Sequence, residues 1–112
     1  MTTRWAVALV LSGQACTQGH DPASLALDTS ATTTIRGDCS LARVRCSRCH
    51  SIERVERAHI AAPRQWRDYV RRMRLMPGSG VPPEEEWPIT RCFVYLTSGQ
   101  RGVDELALEE NR

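Results

Sequence analysis

The chain has 112 residues, a net charge of +2 and 41% hydrophobic residues. This length excludes several large domains and predicts one small domain, whose core rarely stabilises a fold without a covalent or metal staple. All fifteen basic residues are arginine, but no nucleic-acid-binding motif accompanies them, so nucleic acid is not a predicted partner.

Residues 1–15 are typical of a signal peptide. A cationic start at Arg4 precedes the apolar run 5–11, and small residues follow up to Ala15. Seven apolar residues are too few to span a bilayer but suit a secretory leader. The pattern predicts export to the periplasm. The opposing interpretation, a buried first helix or strand, leaves the polar stretch that follows unexplained.

Residues 16–35 are predicted to form a flexible tether. They include Gly19, Pro22 and a run rich in threonine, with no sustained apolar period. Cleavage after Ala15 makes Cys16 the first mature residue, the position that carries the lipid in bacterial lipoproteins. Gly13 stands where lipoproteins usually have leucine, so a lipid anchor on Cys16 and ordinary cleavage both stay open.

A short helix is predicted over 38–45, with Asp38 as its N-cap. It leads into the run C-S-R-C-H, in which Cys46 and Cys49 precede His50. This C-x-x-C-H run is the attachment sequence for one covalent haem c. The two thiols add across the vinyl groups at one porphyrin edge, and the histidine binds the iron as its proximal ligand. Zinc binding is the alternative, although zinc sites usually need a second cysteine pair.

The clearest predicted helix begins at Pro63 or Arg64 and ends near Leu75. Apolar side chains recur along it at three- and four-residue steps, which places them on one face; they are Trp66, Tyr69, Val70, Met73 and Met76. Residues 51–62 before it are predicted as a loop with one helical turn. Pro77 and the glycines after it end the helix.

A last helix is predicted to begin around 83–86. Its acidic residues suit a helix N-terminus, and Pro88 is expected to confine the regular part to the residues that follow. The folded domain is predicted to span 36–98, with a polar C-terminal tail over 99–112. No segment predicts a substantial β-strand.

This order of elements resembles small monohaem class I-type cytochromes c. The stretch 66–73 is similar to a W-x-x-x-V-x-R-M pattern of a bacterial branch of that family, and the likeness covers about 38–96. It implies an all-α, compact cytochrome c-like fold with three to four short helices around one covalent haem. It also implies histidine and methionine ligation of the iron and single-electron transfer, with no catalytic residues.

The resemblance implies Met73 as the distal iron ligand, because it occupies the R-M position of the pattern. Met76, beside the breaker, is the alternative. His59 would instead give bis-histidine ligation, and His20 in the tether is a weaker candidate. Trp66 has two interpretations: its indole N–H contacts a haem propionate, or the ring is packed in the core.

The five cysteines add a second expectation. Haem takes Cys46 and Cys49, and an oxidising compartment leaves few free thiols. Because the first and last helices cross in cytochromes c, the resemblance implies a disulfide between Cys39 and Cys92. The alternative is that Cys92 is a small buried hydrophobe.

Charge is distributed unevenly along the chain. Residues 36–74 hold eleven arginines against four acids, whereas 75–112 hold seven acids against three arginines. A basic face around the haem edge would steer an acidic-faced redox donor or acceptor; the alternative is a solvated helix face. Two other functions stay open: the electron-accepting subunit of an exported dehydrogenase, and a haem-based ligand sensor.

Overall fold

The computed structural model describes residues 27–112, and every regular element in that range is helical. The elements are α1 (Thr33–Cys46), α2 (Glu53–Glu56), α3 (Pro63–Leu75), a short 3-10 turn (Pro83–Glu85) and α4 (Glu86–Glu110). The all-α prediction is confirmed. The predicted signal peptide, Cys16 and His20 lie outside the described residues. Both α1 and α3 pack on α4 rather than on each other.

The first helix begins earlier than predicted. Its N-cap is Thr32, whose Oγ1 accepts a hydrogen bond from the backbone N–H of Ile35 at 3.2 Å. Ile35 is only 2% exposed, so the prediction of a tether up to residue 35 is wrong for the residues of α1. Asp38 is not the predicted cap. It lies inside α1 and accepts two hydrogen bonds from Arg91 of α4, at 2.5 and 3.0 Å.

The third helix matches its predicted bounds, and the predicted apolar face is confirmed at Trp66 and Val70 but is wrong at Met76, which is 59% exposed. Pro63 occupies the first turn, where a missing backbone N–H breaks no intrahelical bond. Trp66 and Val70 are buried one turn apart, and the Trp66 ring lies 5.0 Å from that of Phe93 between centroids. The helix ends before Met76, which has an extended conformation because a proline follows it.

The prediction that the regular part of the last helix follows Pro88 is wrong. The helix begins at Glu86, two residues before the proline, instead of after it. A proline in the first helical turn loses no hydrogen bond to a preceding carbonyl, so it is compatible with the helix there. The acidic residues that precede it favour the same position, since negative charge stabilises a helix N-terminus.

Residues 99–112 are not the predicted polar tail. α4 changes direction at Gly99, which has φ 65° and ψ −167°, a conformation almost restricted to glycine. Trp87 and Ala107 line the same cavity, although twenty residues of straight helix would separate them by about 30 Å. The second half of α4 therefore folds back along the first. Leu106 is 1% exposed there, so this segment belongs to the core.

A disulfide joins α1 to α4. Cys39 and Cys92 have their sulfur atoms 1.99 Å apart and their Cα atoms 5.1 Å apart, which is within the usual range for a disulfide. Both residues are buried. The geometry agrees with the predicted pairing, and it fixes the crossing of the first and last helices.

Alanine at both Cys39 and Cys92 is expected to lower the free energy of unfolding by about 4 kcal/mol. The bond closes a loop of 53 residues, and the chain-entropy model gives about that value for a loop of this length. Chemical denaturation with and without reductant measures it. Reduced wild type should unfold at nearly the same denaturant concentration as the double variant. A wild-type midpoint insensitive to a reductant that demonstrably cleaves the bond would contradict the prediction.

Candidate functional site

A cavity of about 330 Å³ lies between the end of α1, α3 and the start of α4. Cys46, Cys49 and His50 line it from one side. Met73 and Met76 line it from the end of α3. The structure therefore brings the C-x-x-C-H run and both candidate methionine ligands to one pocket, although 23 or more residues separate His50 from either methionine.

The two cysteines of the run differ in their surroundings. Cys46 is the last residue of α1 and its thiol is free and buried, and burial raises the pKa of this thiol to about 12. It is therefore protonated at neutral pH. Cys49 is exposed and lines the same cavity.

His50 is half-buried, and one of its ring nitrogens contacts the backbone. Its Nδ1 lies 3.0 Å from the backbone carbonyl oxygen of Ser51. A carbonyl can only accept, so Nδ1 is the donor. In the neutral imidazole the lone pair is then on Nε2. This is the arrangement found in metal-binding histidines, in which the second ring nitrogen donates to a carbonyl and orients the ring.

The two methionines are held differently. Met73 belongs to the last turns of α3 and packs against the buried core. Met76 caps the helix and is 59% exposed. A ligand on a regular helix is positioned by the packing of that helix, whereas an exposed cap residue has few contacts to fix its rotamer. Of the two, Met73 is the better positioned.

The remaining lining residues are mostly apolar or basic. The apolar side chains are those of Tyr69, Val70, Val81 and Ile89. Four arginines and Ser79 complete the lining, and no described acidic residue is among the lining side chains; the arginines are Arg45, Arg54, Arg72 and Arg74. Sequence reasoning did not identify these arginines as part of a site.

Trp66 lies in the core rather than in this pocket. Its side chain is 1% exposed, and its only N–H is donated to Oγ1 of Thr97 at 3.0 Å. A propionate would have to displace that hydrogen bond. The position of Trp66 is therefore explained by core packing, the second of its two interpretations.

His59 is not among the residues that line the pocket. It is exposed, and its φ of 50° lies in the left-handed region. It lines a separate surface depression with Val55, Trp66 and Leu96. Bis-histidine ligation would therefore need the loop that carries His59 to move.

No family model matches the chain, and no curated protein or solved structure is significantly similar to it. Within residues 27–112, no helix is long and apolar enough to cross a membrane. The same residues contain no cluster of three or more histidine, cysteine or acidic side chains that could hold a metal ion. The C-x-x-C-H run and the pocket around it are the basis for assigning a function.

Proposed function

We propose that this chain is an exported, monohaem c-type cytochrome that carries single electrons. Cys46 and Cys49 would bind the haem covalently, with His50 as the proximal ligand and Met73 as the distal ligand. One observation supports this most directly: these side chains, from two distant parts of the sequence, line the same pocket. If the C-x-x-C-H run had arisen by chance, a methionine would not be expected to line the same cavity.

The walls of the pocket suit the chemistry of haem. A porphyrin is a flat apolar ring with two carboxylates on one edge. The apolar side chains, Val70 and Ile89 among them, suit the ring. Arg54 and Arg72, which have no ion pair within residues 27–112, suit the carboxylates. The tautomer of His50 leaves Nε2 available as a metal ligand.

Bound haem would supply a one-electron change between ferric and ferrous iron. The contribution of the chain would be to hold the group, to fill both axial positions and to exclude water from its apolar face. A methionine ligand raises the reduction potential relative to two histidines, which suits a carrier on the oxidising side of a respiratory chain. Filled axial positions leave no site for substrate, so we propose a carrier rather than an enzyme.

The proposed fold is cytochrome c-like, with α1 crossing α4 and α3 supplying the distal ligand. The proposed location is the periplasm, where C-x-x-C-H haem attachment takes place in bacteria, either free or tethered through a lipid on Cys16. The proposed partners are a redox donor and acceptor. Arg54 and Arg72, which are exposed at the pocket, would favour an acidic-faced partner.

A pyridine haemochrome spectrum tests the proposal. The full chain, expressed in a bacterium that carries the haem-attachment machinery, should show a c-type spectrum with one haem per chain. The haem should stay with the protein after acid-acetone extraction, because thioether bonds survive that treatment. A colourless protein that contains zinc would contradict the proposal and support the zinc alternative.

Two further measurements separate the remaining alternatives. A haem-based sensor would bind carbon monoxide readily in the reduced state, whereas a carrier with Met73 bound should bind it poorly. Co-purification with a dehydrogenase would assign the chain as the electron-accepting subunit of that enzyme.

A further inference from the structure

Glu85 and Glu86, at the start of α4, contact both sides of the pocket. Glu85 pairs with Arg45, at the end of α1 that leads into the C-x-x-C-H run. Glu86 pairs with Arg74, near the end of α3 beside the candidate ligand. Both arginines line the pocket. Because α1 and α3 pack on α4 rather than on each other, these two adjacent carboxylates link the two sides.

The pair between Glu85 and Arg45 is bidentate. Arg45 donates from Nε to Oε2 at 2.7 Å and from Nη2 to Oε1 at 2.8 Å. Parallel hydrogen bonds of this kind fix orientation as well as distance. The side chain of Glu85 is 18% exposed, and the hydrogen bonds from Arg45 hold its pKa below the usual value. The carboxylate is therefore ionised at neutral pH.

Glu86 holds the other side through two arginines. Arg74 donates from Nε to Oε2 at 2.5 Å, and Arg71 donates from Nε to Oε1 at 2.9 Å. Burial by itself raises the pKa of Glu86, but the two arginines outweigh it, so the pKa is lowered. The backbone carbonyl of Arg74 also accepts from Oγ of Ser79 at 2.7 Å. The last turn of α3 is thus held through a side chain and through the backbone.

The two sides also touch at Gly80, but without an ion pair. Gly80 has φ 66°, and the guanidinium of Arg48 lies so close to it that a Cβ would overlap. Arg48 is exposed and its side chain is flexible, so this contact does not hold the two sides together. The hydrogen-bonded link between them is made by the carboxylates.

We propose that Glu85 and Glu86 act as a carboxylate clamp, which sets the separation of the two pocket sides and would keep Met73 in position as an iron ligand. The effect on Met73 rests on the proposed function, because it requires a bound haem. The structural part of the proposal, the fixing of α1 and α3 to α4, does not depend on haem. Both glutamates are positioning residues, since neither is among the side chains that line the pocket.

The two halves of the clamp should differ in importance once haem is attached. The C-x-x-C-H side would be held by two thioethers and by His50, so losing the Glu85 pair should change little there. The α3 side would be held to the haem by one methionine bond. Losing the Glu86 pair should therefore weaken that bond selectively.

Hydrogen–deuterium exchange on the full chain tests the structural part. In Glu86→Gln, exchange over residues 72–79 should rise about fivefold, and in Glu85→Gln the same rise should occur over 43–48. Glu84→Gln is the matched control, because Glu84 is exposed and has no ion pair within the described residues. A uniform rise over all helices, or no rise at either end, would overturn the clamp whether or not the chain carries haem.

Imidazole binding to the ferric protein tests the consequence at the iron. Imidazole competes with a methionine ligand, so Glu86→Gln should bind it at least about fivefold more tightly than wild type. Glu85→Gln and Glu84→Gln should stay within about twofold of wild type. Equal affinities in all four proteins would overturn the positioning role. Absence of haem from wild type would refute the proposed function, and the exchange result would then decide the clamp by itself.

Discussion

Alanine at both Cys46 and Cys49 is expected to leave the protein without covalent haem. Haem c is bound through thioethers to the two thiols of the C-x-x-C-H run, and the other cysteines near the core are joined in the disulfide between Cys39 and Cys92. No thiol of the core would then remain for attachment. Haem staining after denaturing electrophoresis should show full signal for wild type and none for the double variant.

The matched control for this variant is alanine at both Cys39 and Cys92. It removes the same number of cysteines from the folded domain but leaves the pocket lining unchanged. It should keep the haem stain while losing stability. Full-strength staining in the variant without Cys46 and Cys49 would refute the assignment of a haem bound to these two cysteines. Loss of staining in both double variants would instead show that attachment depends on the fold as a whole.

The single variants should differ from the double variant. One thioether remains in Cys46→Ala and in Cys49→Ala, so each should keep part of the covalent haem. The thiol of Cys46 is buried in the pocket, whereas Cys49 is exposed. Haem staining of each single variant should give a signal between those of wild type and the double variant.

The helices whose ends depend on neighbouring residues were predicted correctly from the sequence. α3 begins at Pro63 and ends at Leu75, where the proline start, the apolar period and the breaker after it all agree. The short turn of α2 also falls inside the predicted loop. In these segments the helix boundaries depend on neighbouring residues, so one stretch of sequence contains the information.

The segment after Gly99 could not be predicted in the same way. Two of its acids are partnered across the fold: Glu109 accepts from Arg64 at 2.8 and 3.0 Å, and Glu110 accepts from Arg67 at 2.8 Å. These partners lie more than 40 residues away in sequence. Without the fold, acids near a chain end are indistinguishable from a solvated tail.

The uneven charge distribution has the same explanation. Acids of the second half pair with arginines of α1 and α3: Glu85 with Arg45, and Glu86 with Arg74. In the opposite direction, Arg91 of α4 pairs with Asp38 of α1. Much of the positive charge of the first half is therefore neutralised inside the domain. The sequence also could not show which of the eleven arginines line the pocket, because that depends on which helix ends lie together in the fold.

Met73→Ala is expected to abolish the near-infrared charge-transfer band that methionine sulfur gives with ferric haem. The reduction potential should fall by on the order of 0.1 V, within the roughly 0.8 V range that axial ligands control. The physical reason is that a thioether stabilises ferrous over ferric iron, so its loss disfavours the reduced state. Near-infrared absorption and a redox titration measure the two effects on the same sample.

Met76→Ala is the control, because Met76 lines the same pocket but is 59% exposed at the helix cap. It should keep the band and change the potential little. The reverse result would mean that the iron is bound by the residue where α3 ends, and that the R-M position was assigned one turn too early. A wild type without the band would make His59 the leading ligand. Since His59 is not among the pocket-lining residues, that outcome would require the loop before α3 to rearrange, and the high-potential carrier would be refuted.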